Sequence, residues 1–207
     1  MAAVTTPTGR TSAVAPATAY PRDGRVIGRV SSRLAGAAAL TAGILSIAIG
    51  TLQYLFPQDE DPAIDPRTRV ILVMFTLSLW AFAVLFVGLA RYARSSWGAF
   101  VAGTGTVLLT LGTATSAANG IDLEFFPIVA MAANALWLVG VIGLTVSLVR
   151  ARQLSLWLVL PLPFVQVLLL FFSQMGGGVP AGLFVSALGI VLLAGGAQSR
   201  ARRRAAR

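Results

Sequence analysis

The sequence predicts an all-α, polytopic transmembrane bundle of six helices with both termini cytoplasmic. Three observations carry this. Apolar residues make up 57 % of the 207 positions and charged residues only 11 %, less than half the charge of an ordinary soluble domain. The apolar residues gather in six runs of membrane-crossing length, about 20 residues for a hydrocarbon layer of about 30 Å. The arginines cluster at alternate ends of those runs, as the positive-inside rule requires.

Residues 1–33 are rich in Ala, Thr, Ser, Pro and Arg and show no helical or strand period. They read as a disordered, basic cytoplasmic tail. Six spans follow, at about Leu34–Leu55, Val70–Ala90, Trp97–Ala118, Ile128–Val149, Leu156–Phe172 and Val179–Ala197. The transmembrane domain thus covers 34–197, and 198–207 form an Arg-rich cytoplasmic tail. The first span is too long for the apolar core of a signal peptide and lacks a clean cleavage site behind it.

Orientation follows from the arginines. Arg10, Arg22, Arg25, Arg29 and Arg33 precede the first span. Arg91 and Arg94 join spans two and three, Arg150 and Arg152 join four and five, and Arg200, Arg202, Arg203, Arg204 and Arg207 follow the sixth. Only Arg67 and Arg69 fall on the other side, with Asp59, Glu60, Asp61, Asp65, Asp122 and Glu124. The net charge of +9 is therefore a topology signal and not a nucleic-acid one. Tyr92, Trp97 and Trp157 mark the inner interface; Tyr54, Phe56, Phe125 and Phe126 mark the outer one.

Composition removes whole classes of chemistry. The chain has no Cys and no His, and all 16 cations are Arg. Haem or zinc held by Cys or His, thiolate chemistry, Ser-His-Asp catalysis and a lysine Schiff base therefore have no residues to carry them. Arg without Lys in an Ala/Gly/Val/Leu-rich chain fits a GC-rich bacterial genome such as that of an actinobacterium.

Lipid is as apolar as Leu, so helices in a membrane associate through close packing of small residues and through hydrogen bonds. The third span offers a small row at Ala102, Thr106, Thr110, Ala114 and Ala118. The first span offers Ala42, Ser46 and Gly50, with Ala35, Ala39 and Gly43 beside them; the fourth offers Gly143 and Ser147. Packing is the favoured reading of these rows, and a polar path along the Thr-rich third span is the alternative. In the fifth span Pro161 and Pro163 predict a kink, with Gln166 placed to satisfy a freed carbonyl. A structural kink and a substrate notch both remain open there. Asn134 and Gln166 are the only amides well inside the spans, and no ionisable residue lies at mid-membrane.

Two acidic clusters are candidates for chemistry. Asp59, Asp61 and Asp65 stand in the proline-stiffened loop 56–66 and offer oxygen ligands for Ca²⁺ or Mg²⁺. The spacing does not match an EF-hand, because Ile64 stands where the turn glycine belongs. A solvated loop that enforces topology is the plainer reading. Asp122 and Glu124 adjoin Phe125 and Phe126, where desolvation would raise a carboxyl pKa and suit a general acid. The alternative is a charge preference at the start of the fourth span. The Arg200–Arg207 run suits both anionic lipid head groups and a stop-transfer cluster.

The stretch Ala133-Asn134-Ala135-Leu136-Trp137-Leu138-Val139-Gly140, followed by Arg150-Ala151-Arg152 and by a Gly-rich last span before an Arg-rich tail, resembles small six-span integral membrane proteins of actinobacteria. That resemblance covers spans four to six and implies membrane location and six helices, with no site residues to carry over. In size, and in having Asp122 and Glu124 near the membrane surface, the chain is also similar to small membrane-embedded terpene cyclases of bacteria and fungi. That likeness implies acid catalysis on an isoprenoid. The leading expectation is a non-enzymatic accessory or transport-associated subunit in the cytoplasmic membrane. Its partners would be the bilayer, anionic lipids at the cytoplasmic face and another membrane subunit. An acid-catalysed membrane enzyme and a small exporter or pore are the alternatives.

Overall fold

The computed structural model describes residues 32–57, 64–121 and 123–205, and for 196–205 the helical backbone alone. Asp59, Asp61 and Asp122, residues 1–31 of the expected 1–33 tail and the side chains of the Arg200–Arg207 run lie outside the described residues. Among the described residues seven α-helices follow one another: α1 Ser32–Leu55, α2 Pro66–Leu89, α3 Trp97–Asn119, α4 Phe126–Ala151, α5 Leu156–Val159, α6 Leu162–Phe171 and α7 Gly178–Ala205. A short 3-10 turn, Ser173–Met175, separates α6 from α7.

Five of these helices (α1 to α4, and α7 over Gly178–Gly195) are long and apolar enough to cross a membrane. The expected fifth span differs. It is a shorter apolar stretch, Leu156–Phe171, broken between α5 and α6. Pro161 caps α6 and Pro163 lies in its first turn, so neither supplies an N–H to the turn before it. At 1.5 Å per residue the 16 positions reach about 24 Å, short of the hydrocarbon thickness.

Helix ends follow local chemistry. α2 starts a turn earlier than its apolar run, because Asp65 accepts from the Thr68 N–H and Pro66 occupies the first turn. Proline is preorganised for that position and lacks an N–H that would be orphaned there. α3 ends at Gly120, whose φ of 73° is left-handed. A side chain there would also meet the Arg69 guanidinium, 2.6 Å from its Cβ. The Ile64 N–H donates to the Gly120 carbonyl at 3.1 Å, which ties the α1–α2 and α3–α4 connections together at one end of the bundle. Arg67 lies over the Phe56 ring at that end, 4.3 Å from its centroid.

Packing runs α7–α1–α2–α3–α4, with α6 bridging α4 and α7. The closest pairs are α1 with α7 and α3 with α4, and glycines at seven-residue spacing make both. On α1 these are Gly36, Gly43 and Gly50, which meet Gly189, Gly182 and Gly178 of α7 running the other way. A Cβ on Gly36 would stand 2.7 Å from Leu193 Cγ, and one on Gly50 would stand 2.7 Å from the Gly178 Cα. On α3 the series is Gly98, Gly105 and Gly112. A Cβ on Gly105 would come within 2.6 Å of the Ala133 carbonyl oxygen, and one on Gly112 would enter the Phe126 ring. Backbones that approach this closely gain dispersion contacts that lipid cannot match.

Between the two glycine-packed pairs lies an aromatic cluster from α2 and α4. Phe82, Phe86 and Trp137 are almost fully buried, with ring centroids 5.5 Å apart for Phe82–Trp137 and 6.0 Å apart for Phe82–Phe86.

Candidate functional site

The small-residue row foreseen on α3 splits. Ala102, Thr106 and Thr110 are buried, whereas Ala114 and Ala118 are exposed. A four-residue step advances about 40° beyond a full turn, so the row walks off the packed face after Thr110. The buried arc continues through Thr113, Ser116 and Ala117. Thr113, not Thr110, reaches the next helix: its hydroxyl lies 2.8 Å from the Thr76 hydroxyl of α2. Thr106 and Thr110 donate to carbonyls of their own helix, Gly103 and Thr106, each at 2.8 Å. Their hydroxyls are thereby satisfied within the helix.

The departure of Ala114 and Ala118 leaves α3 with a second, outward face. Gly103, Val107, Leu111, Ala114 and Ala118 fall on one side of the helix. A Cβ on Gly103 would meet nothing within 4 Å, and Leu111, Ala114 and Ala118 are exposed. Thr104 and Thr115 flank this face with hydroxyls bonded back to Phe100 and Leu111 carbonyls, so no polar group there demands water.

On α1, Ala42, Ser46 and Gly50 are all buried but face two partners. The Ser78 hydroxyl of α2 lies 3.5 Å from both the Ser46 hydroxyl and the Ala42 carbonyl, while Gly50 packs on Gly178 of α7. Sequence reasoning missed the seven-residue glycine series that dominates the α1–α7 contact. The spacing Gly36, Gly43, Gly50 was the available signal.

The amides of Asn134 and Gln166 do not bond each other. Asn134 Nδ2 donates to the Ala130 carbonyl of its own helix, and Gln166 Nε2 donates across to the Asn134 backbone carbonyl, both at 2.8 Å. Gln166 therefore bridges α6 to α4 and does not heal the break at Pro161 and Pro163. Its Oε1 is buried with no partner.

Asp65 and Glu124 are the acids of the two candidate clusters that fall among the described residues. Asp65 is exposed and serves as the N-cap of α2. The Thr68 hydroxyl and N–H, and more weakly Arg67, hold its carboxyl below the ordinary range. Its lone pairs are engaged in capping. Glu124 is exposed in the turn before α4. Phe125 beside it is 60 % exposed, and Phe126 turns inward over Gly112, so the aromatics do not enclose the carboxylate. Among the described residues no group of three Asp, Glu, His or Cys side chains is placed to hold a metal ion.

Comparison with protein-family models, with characterised proteins and with solved structures returns no match.

Proposed function

We propose that the protein is a multi-pass subunit of a bacterial cytoplasmic membrane, with both termini inside. In this reading it is a non-enzymatic accessory or transport-associated component that acts through helix contacts. One observation carries the reading: the outward face of α3 is small and uncovered at Gly103, Ala114 and Ala118, while Gly98, Gly105 and Gly112 of the same helix pack against α4. A second helix gains close backbone approach at such a face, where bulky side chains would hold it off. The arginine distribution supports the orientation.

The chain has no Cys, so Ala114→Cys introduces a single thiol. A photoreactive maleimide at that position, in native membranes, should give a discrete protein adduct. Val73→Cys on the exposed flank of α2 serves as the lipid-facing control. Label confined to lipid at both positions overturns the reading. A lipid or isoprenoid product that appears with the wild type and vanishes in Asp122→Asn/Glu124→Gln would replace it with an enzyme.

A further inference from the structure

At the end of the bundle opposite Asp65 and Glu124, a cavity of about 480 Å³ opens between the start of α3 and the last turns of α4. Its walls change character along their length. Arg94, Ser95 and Arg150 line one part, and Trp97, Val139, Ile142 and Val146 line another. Val139, Ile142 and Val146 are each about half exposed, so this side is open to whatever surrounds the bundle.

The polar part is held in place by the fold. The Ser95 N–H donates to the Ser147 hydroxyl at 2.9 Å, and that hydroxyl donates to the Ser95 carbonyl at 3.2 Å. The Arg94 N–H reaches the Ser147 carbonyl at 3.4 Å. The α2–α3 turn is thus fastened to α4, and Arg94 is fixed on the same cavity as Arg150. Trp97 is equally constrained: Gly143 leaves room for its ring, which comes within 2.5 Å of where a Cβ would stand. No described acid is near. Asp65 and Glu124 sit at the far end, and neither Arg94 nor Arg150 has an ion-pair partner among the described residues. Ser96, the N-cap of α3, makes no side-chain capping bond, so the positive dipole end of the helix adds to the field of the two guanidinium groups.

From this arrangement we infer that the groove holds one anionic glycerophospholipid. The head-group phosphate sits between Arg94 and Arg150, and an acyl chain runs over Val139, Ile142 and Val146 against Trp97. Guanidinium groups bind phosphate oxygens in a fixed fork, and indole favours the depth where head group meets chain. The groove therefore fits a molecule that is anionic at one end and apolar at the other. A free phosphate would leave the apolar wall unused; a neutral lipid would leave two cations unmatched. This inference is independent of the subunit reading and of which side of the membrane faces inward.

Native mass spectrometry of the full chain, released from detergent after titration with phosphatidylglycerol, phosphatidylcholine or glycerol 3-phosphate, tests it. One phosphatidylglycerol should be retained in preference to phosphatidylcholine, and glycerol 3-phosphate should not displace it. Arg94→Gln and Arg150→Gln should each weaken retention about five-fold, the effect of one interfacial cation. Arg91→Gln, at the same end but outside the groove, should leave it unchanged. Ile142→Trp fills the apolar part without touching either charge and should abolish retention. Equal retention of the two lipids overturns the inference, as does retention undiminished in Ile142→Trp. Displacement by glycerol 3-phosphate overturns it in favour of a soluble phosphate compound. These three readouts stand even where an arginine variant fails to fold.

Discussion

Gly43 of α1 and Gly182 of α7 meet backbone to backbone: a Cβ on Gly43 would stand 2.6 Å from the Gly182 carbonyl oxygen. No side chain fits between them, so a larger residue must push the helices apart along the length of the pair. Overpacking a tight core costs about 1–3 kcal/mol, and here the obstacle is backbone, which cannot rotate away. Gly43→Val is expected to lower unfolding stability in detergent by about 3 kcal/mol. Gly103→Ala, where a Cβ meets nothing within 4 Å, is expected to gain up to about 1 kcal/mol from helix propensity. Thermal or denaturant unfolding of the two variants side by side checks the pair, and equal effects would mean that α1 and α7 are not in close contact.

The contrast between these glycines and Ala114 shows what was legible in the chain. Hydropathy alone located α1 to α4 and the start of α7 to within about four residues, because a run of apolar residues needs no tertiary context to be recognised; α7 runs on to Ala205, past the end of its apolar run at Ala197. Helix faces were harder. A four-residue step looks like one face on paper but rotates about 40° each time, whereas a seven-residue step drifts only about 20° the other way. The Ala102–Ala118 row therefore left the packed face, and the Gly98–Gly105–Gly112 row stayed on it. The start of α2 was readable in Asp65 and Pro66, a cap and first-turn pair hidden inside what looked like a loop. The Gln166 bridge to Asn134 was not readable, because it depends on how α6 sits against α4 after the break at Pro161.

Trp137 is 3 % exposed, while Trp80, Trp97 and Trp157 are 53 %, 53 % and 86 % exposed. The outer three stand where acyl chains or head groups reach them in a bilayer. Brominated lipids should quench most of the emission and leave a protected remainder. Trp137→Phe, which keeps a ring between Phe82 and Phe86, should remove that remainder and leave the quenched part intact. Loss of quenchable emission instead would place Trp137 at the lipid surface and contradict the packing of α2 on α4.

Asp65 ties the stability of the α2 start to pH. Bonds from the Thr68 hydroxyl and N–H lower its pKa from 3.8, so the folded state holds the ionised form more strongly than the unfolded chain does. The unfolded state binds more protons in that window, and stability contributed by the cap is complete above about pH 4. It fades as pH falls through the lowered folded value. Asp65→Asn keeps a capping oxygen and removes the charge. Its hydrogen-exchange protection at Arg69 and Val70 should be flat between pH 5 and pH 3, where the wild type declines. A parallel decline in both would assign the pH effect to another group.

Gln166 is 3 % exposed and half satisfied: Nε2 donates to the Asn134 carbonyl at 2.8 Å, and Oε1 has no partner. A buried hydrogen bond contributes about 1 kcal/mol net, whereas a buried acceptor left unpaired costs about 1–3 kcal/mol. The second effect equals or exceeds the first. Gln166→Leu, which removes both and adds apolar surface against α4, is therefore expected to be neutral or to stabilise the bundle. Gln166→Glu keeps the unpaired oxygen and adds an acid in the same place, and it is expected to destabilise the bundle strongly. Unfolding of both variants in detergent gives the comparison. A loss of more than about 2 kcal/mol in Gln166→Leu would mean that Oε1 holds a partner beyond the protein, such as a bound water or a substrate. The broken fifth segment would then be a binding notch and not a structural kink.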